Sequence, residues 1–352
     1  MPDWKESMQQ TFEYYLVDPV TWKDVKLIEN VKSCTIDRDS GAATLGSANI
    51  DMADSIGEAY VRAYLVTIQN GVTEKHPLGT FLVQTLPESS DGKIKKISAD
   101  AYTPLLELKE NPPPFGYSIL KGQNVMDIAY RLARDNARAP VVKPVCDTIL
   151  HHDFVAEDDD TWLTFIGDLM ANAKYSFGLD EMGRILFLPK QDTASLQPVY
   201  TFDDSNSSIL YPDISMEHDI YGIPNVVEVI YSNGGTHYYA RVANDDPNSP
   251  ISTVSRGRKI TYRETSPNLI GNPTENQIQE YAEQLLRDKS ALEYTVTYKH
   301  GYCPVRIGDC VRINNSRAGI TDVKAKVISQ SIECTPGCPV TETAVFTTKL
   351  WR

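Results

Sequence analysis

Six cysteines are the residues in this chain whose type is best suited to chemistry: Cys34, Cys146, Cys303, Cys310, Cys334 and Cys338. Cys334 and Cys338 bracket the turn Thr335-Pro336-Gly337, and Cys303 and Cys310 flank another turn. Four thiols in two pairs could close a tetrahedral zinc site that pins strand ends together. Their spacing matches paired zinc knuckles only loosely. Ordinary reduced thiols are therefore the expectation, with a metal site or a Cys334–Cys338 disulfide as the alternatives.

A second cluster runs from His151-His152-Asp153 to Glu157-Asp158-Asp159-Asp160. Imidazoles and carboxylates together can bind a divalent cation. Adjacent side chains on an extended segment point to opposite faces, however, so the two histidines diverge. The acidic run stands just before a helix, where negative charge complements the N-terminal dipole, and Asp160 is the expected cap. No metal is assigned here.

Nucleophile and phosphate-binding motifs are absent: there is no G-x-S-x-G, H-E-x-x-H, Walker A loop or G-x-G-x-x-G. The histidines, His76, His151, His152, His218, His237 and His300, have no sequence-local partner that would make a triad. No catalytic residue and no cofactor is assigned, and the expectation is a non-enzyme. A glycosidase is the enzyme class hardest to dismiss, since its two carboxylates can lie anywhere in a chain. Arg256-Gly257-Arg258-Lys259 reads as a solvated turn between strand-like segments. Trp162 reads as core, while Trp4 and Trp22 are open between packing and stacking on a sugar.

The charge balance narrows the partners. The 352 residues carry a net −13, which argues against general binding to nucleic acid or to anionic lipid. Between His151 and Ile220 there are 14 acidic and 3 basic residues, a net −11, so one segment holds nearly all the excess. No secretory signal and no apolar run of membrane-spanning length is visible, and synthesis in a cytoplasm is expected.

Several elements must position these residues. Residues 1–110 read as six short strands in a small barrel or sandwich, with hairpin signals at Asn70-Gly71 and Asp91-Gly92. Pro112-Pro113-Pro114 interrupts them as a stiff connector. Residues 111–207 read as an acidic α+β segment. Its first helix is capped by Asn124 and buries Val125, Ile128, Ala129, Leu132 and Ala133. Its second buries Trp162, Phe165, Ile166, Leu169, Met170 and Ala173. A hairpin follows, Tyr175–Leu179 and 184–188, turning at Asp180-Glu181-Met182-Gly183. Residues 208–352 return to β structure, with a hairpin at Asn233-Gly234-Gly235 and one helix near 274–290 opened by a Thr274-x-x-Gln277 capping box. The fold class is α+β, mainly β: two small β-barrel domains separated by a compact α+β domain.

In this order the motifs resemble the hub proteins of phage tails, at the tail tip or baseplate, of the type found in Gram-positive phages and phage-like particles. The carrying residues are Leu78-Gly79-Thr80-Phe81-Leu82-Val83, the strand–proline–helix stretch from Ser98 to Ala133, the stretch from Asp159 to Lys190 with its D-x-x-G-R-I hairpin, and Val305-Arg306-Ile307-Gly308-Asp309-Cys310-Val311. The resemblance implies a structural homotrimer at the distal end of a tail tube. Two related barrels per subunit would form a pseudo-sixfold ring, matching the tube or distal tail protein above to a threefold spike, fibre or tape-measure protein below. Genomic DNA would pass only in transit, and the protein would reside in the virion after assembly in the host cytoplasm. The alternatives are a tail-associated cell-wall hydrolase or a glycan-binding tip module. Lys349-Leu350-Trp351-Arg352 directly follows a predicted strand, so no added hydrolase domain is expected.

Overall fold

Tyr60 to Thr67, eight consecutive residues, are buried in one strand. A strand covered on both faces must lie at the centre of a sheet wrapped by other layers. The computed structural model that shows this describes every residue except 1, 86, 91–94, 192, 234–235, 266, 268–272 and 350–352. The Asp91-Gly92 turn signal and Gly234-Gly235 lie outside the described residues.

The chain begins β1 Gln9–Val17, β2 Asp24–Leu27, β3 Val31–Asp39, β4 Gly46–Met52, β5 Tyr60–Gln69, β6 Val72–Thr85, β7 Glu88–Ser90 and β8 Lys95–Tyr102. Next come α1 Leu106–Glu110, β9 Ser118–Ile119, α2 Val125–Asn136, β10 Phe154–Val155, α3 Trp162–Ala171, β11 Tyr175–Leu179, β12 Ile185–Pro189 and β13 Tyr200–Asp203. The remainder is β14 Leu210–His218, β15 Val226–Asn233, β16 Thr236–Ala243, α4 Thr253–Arg256, β17 Thr261–Glu264, α5 Glu275–Lys289, β18 Ala291–Gly301, β19 Cys310–Asn315, β20 Ile320–Glu333 and β21 Pro339–Lys349. The chain is α+β and mainly β, as its pattern predicts. Among the described residues no helix is long and apolar enough to cross a membrane.

Two compact units are formed. One holds Met1–Ile214 and Thr297–Ala344, the other Ser215–Val296 and Val345–Arg352. The triple proline is internal to the first: Pro113 is buried, and the Trp162 amide donates to the Asn111 carbonyl at 2.9 Å. Tyr200–Asp203, expected to belong with the acidic segment, pairs in parallel with β19.

In the first unit the sheet runs β18-β21-β20-β3-β4-β8-β6-β5-β1-β2, with β18 from Thr297 and β21 as far as Ala344. β5 and β6 join as a hairpin in which Gln69 faces Val72. Asn70 and Gly71 both take positive φ, 52° and 78°, the geometry that lets a two-residue turn follow strand twist. Ile36, Ile50, Leu65, Leu78, Val83 and Ile97 fill the core beneath. A second core gathers α2 and α3, where every residue of the two predicted stripes is buried except Ala173, which is partly so. Asn124 caps α2 by accepting from the Met126 and Asp127 amides. Thr161, not Asp160, caps α3, in a reciprocal pair with Thr164. Asp160 stands one residue too early and instead accepts from the Thr164 hydroxyl and the Glu157 amide, both at 2.8 Å.

In the second unit β16-β15-β17 form a sheet under α5. Ile278, Ala282 and Leu286 of α5 are buried against Val227, Val229 and Val242. The expected capping box is present, with Thr274 and Gln277 accepting from each other's amides. The basic run is not a plain turn. Thr253–Arg256 is a single helical turn ended by Gly257 at φ 62°, and Arg256 donates to the Ile220 and Ile223 carbonyls.

Candidate functional site

The four candidate cysteines do not converge. Cys334 lies opposite Cys34, its amide donating to the Cys34 carbonyl at 2.9 Å. Cys338 shares that core. Cys303 sits by His300, and the Cys310 thiol lies 3.9 Å from the Val311 carbonyl. All six cysteines are free thiols. Among the described residues no group of three or more His, Cys, Asp or Glu could hold a metal ion. His151, His152 and Asp153 are exposed, and Asp153 accepts from the Lys121 amide.

A buried polar row, which sequence reasoning missed, crosses the sheet of the first unit. Tyr298 and His300 stand on β18, Glu342 on β21, Gln330 on β20 and Arg38 on β3. Glu342 and His300 are both 0% exposed. The Tyr298 hydroxyl donates to Glu342 Oε1, and Gln330 Nε2 donates to Glu342 Oε2 at 2.6 Å. Arg38 closes the row by donating to Gln330 Oε1 at 3.0 Å and to the Leu78 carbonyl at 2.6 Å. A usable signal was present: Val340, Glu342 and Ala344 alternate on the buried face of β21, so a glutamate occupies a core position.

Within this row Cys303, His300 and Glu342 resemble a nucleophile–base–acid series. The geometry refuses the role. His300 Nδ1 lies 2.7 Å from the Gly301 carbonyl, so it carries a hydrogen and cannot accept one from the thiol 4.0 Å away. Burial, with the Glu342 charge, pushes the Cys303 thiol far above its ordinary range, so thiolate is scarce. His300 Nε2 faces Glu342 Oε2 at 3.5 Å. The row is a structural lock that ties four strands together.

The D-x-x-G-R-I hairpin is a docking element. Arg184 bonds Asp180 through both its backbone amide and its guanidinium. Gly183 has φ +75°, and a Cβ there would stand 2.7 Å from Thr80 Cβ. The turn is held from the sheet side. Trp22 Nε1 donates to the Met182 carbonyl at 2.7 Å, and buried Arg62 donates to the same carbonyl, to Thr80 Oγ1 and to Asp24. Arg306 pairs with Glu181 at 2.6 Å. Trp22 is thus a packing residue, and Trp162 packs edge-on against Tyr117 and Phe165. Trp4 is half-buried between His76 and Tyr302.

Beside the hairpin lies a cleft of about 800 Å³, lined by Leu78, Phe81, Phe177, Leu186, Arg306 and Asp309 among others. Burial raises the Asp309 carboxyl, against the opposing pull of Arg306. The folded state therefore holds this proton more tightly than the unfolded chain, and its stabilising contribution is lost as pH rises above the ordinary aspartate value of 3.8. Asp309→Asn removes that loss. The melting temperature of the variant relative to the parent is expected to be higher at pH 7 than at pH 3.5, by thermal melts at both. An equal difference at the two values would show that Asp309 ionises freely in the fold.

No protein-family model matches the sequence, and no curated protein matches it. Solved structures do match. A tail protein from Neisseria meningitidis aligns with a TM-score of 0.63 at 14% identity, covering 97% of this chain and 98% of that one. The 43 kDa tail protein of prophage MuSo2 from Shewanella oneidensis aligns at 0.60 and 12% identity, covering 95% and 98%. Prophage tail protein gp18 from Listeria monocytogenes aligns at 0.51 and 12% identity, covering 96% and 95%. From first strand to last, the chain has the fold of these tail proteins.

Proposed function

We propose that this chain is a virion structural protein, a trimeric hub at the distal end of a phage-type tail tube. The observation that carries the reading is the likeness of fold over nearly the whole length of both chains to a tail protein, at 97% and 98% coverage. In this proposal residues 1–110 and 208–352 supply two tube-type barrels, and residues 111–207 are inserted between them. Three chains then present six related surfaces to a sixfold tube and three to a spike or fibre. Other tail components are the partners, and DNA passes through the ring without binding. The exposed carboxylates of Glu157, Asp158 and Asp159 suit an outward face toward basic neighbours.

The test is mass in solution together with an image of the particle. A threefold ring at the tail tip is the expected result, and a monomer that never enters a virion would remove the proposal. The role needs no catalysis. Purified protein on a bacterial cell-wall zymogram is accordingly expected to give no clearing, and clear lysis would favour the hydrolase reading.

A further inference from the structure

Cys34 and Cys334 come from positions 300 residues apart in the sequence and meet across two neighbouring antiparallel strands. Glu333 of β20 faces Thr35 of β3, and one position beyond that pair the Cys334 amide donates to the Cys34 carbonyl at 2.9 Å. Residues so placed form a hydrogen-bonded pair, directly opposite, with their side chains on one face and Cα atoms about 5.5 Å apart. That spacing lies inside the range a disulfide spans, about 4.4–6.8 Å. Both side chains are buried in the same core, together with Tyr14 of β1. No other cysteine stands opposite either one. Cys338 is reached only around the turn Thr335-Pro336-Gly337, where its own amide bonds the Thr335 carbonyl.

We propose that Cys34 and Cys334 are an oxidative modification site, forming an intramolecular disulfide when the folded protein meets an oxidised low-molecular-weight thiol such as glutathione disulfide. The thiolate of one cysteine attacks a sulfur of the small disulfide and releases one small thiol. The second protein thiolate then attacks the mixed disulfide, the Cys34–Cys334 bond forms, and a second small thiol leaves. Two electrons and two protons pass from the two cysteines to the small disulfide, and the balance is closed. In a reducing cytoplasm the pair stays as thiols. Exchange is slow in the folded state, because its hydrogen bond to Cys334 and burial hold the Cys34 thiol well above its ordinary range. The product is a strap between β3 and the end of β20, next to the turn that leads into β21.

The experiment uses the whole chain, incubated natively with glutathione disulfide at pH 8, then alkylated and digested without reductant. Peptide mapping by mass spectrometry is expected to find the Cys34 peptide joined to the Cys334 peptide, with free thiols falling from six to four. The melting temperature should rise by several degrees and return on reduction. Cys34→Ala should abolish the link and the rise, while Cys338→Ala should keep both. If Cys34→Ala does not fold, Cys334→Ala serves in its place. Retention of all six thiols under conditions that oxidise a urea-unfolded control would overturn the proposal. So would a link between Cys334 and Cys338, or between two chains.

Discussion

Glu342→Ala is expected to destabilise the first unit by about 3–5 kcal/mol, the range for breaking a buried, hydrogen-bonded charge cluster by removing one member. The carboxylate accepts from Tyr298 and Gln330 and faces His300, and all three are buried. Removing it leaves the Tyr298 hydroxyl and one Gln330 N–H without their acceptor, while the other Gln330 N–H keeps the Val305 carbonyl, and it leaves a cavity. Each unsatisfied buried group costs about 1–3 kcal/mol, and partial relaxation keeps the total below their sum. Glu342→Gln retains an acceptor of nearly the same shape and is expected to lose less than half as much. Urea unfolding followed by circular dichroism separates the two variants. A Glu342→Ala protein within about 1 kcal/mol of the parent would mean that the row is not a lock, since ordinary surface substitutions lie within about 0.5 kcal/mol.

Gly183→Val is expected to cost about 2–5 kcal/mol and to release the hairpin from the sheet. The left-handed backbone at φ +75° costs an L-residue about 1–2 kcal/mol. Overpacking against Thr80 and the Trp22 ring, 2.7 and 3.2 Å from the new Cβ, adds about 1–3 kcal/mol. A β-branched residue is the harshest choice because its rotamers are few. Release would free the Met182 carbonyl from both Trp22 and Arg62, so protease cleavage within residues 179–186 should accelerate along with the loss of stability. Unchanged cleavage with lowered stability would place the damage elsewhere.

The two substitutions also mark where reading the sequence succeeds and where it stops. The D-x-x-G-R-I turn was visible from its residues, since Asp180, Gly183 and Arg184 act on one another within four positions. The caps at Asn124 and Thr274 and the buried stripes of α2 and α3 were visible for the same reason. They depend on helical period and on neighbours one turn away. The one-residue error at Asp160 is of the same kind. Asp160 and Thr161 are both competent caps, and only the first helical amide decides between them.

What docks on those local pieces was not visible. Trp22 and Met182 are 160 residues apart, Arg38 and Gln330 are 292 apart, and Cys34 and Cys334 lie still further apart. From spacing alone Cys334 had only Cys338 near it, as an alternative to ordinary thiols; the sheet sets Cys334 against Cys34. Nor did proline content foretell that Pro113 would be buried and that the Asn111 carbonyl would accept from the Trp162 amide. Turn chemistry, caps and periodicity are short-range terms written in the order of residues. Strand neighbours are chosen by burial summed over the whole sheet, and only the folded chain carries that sum.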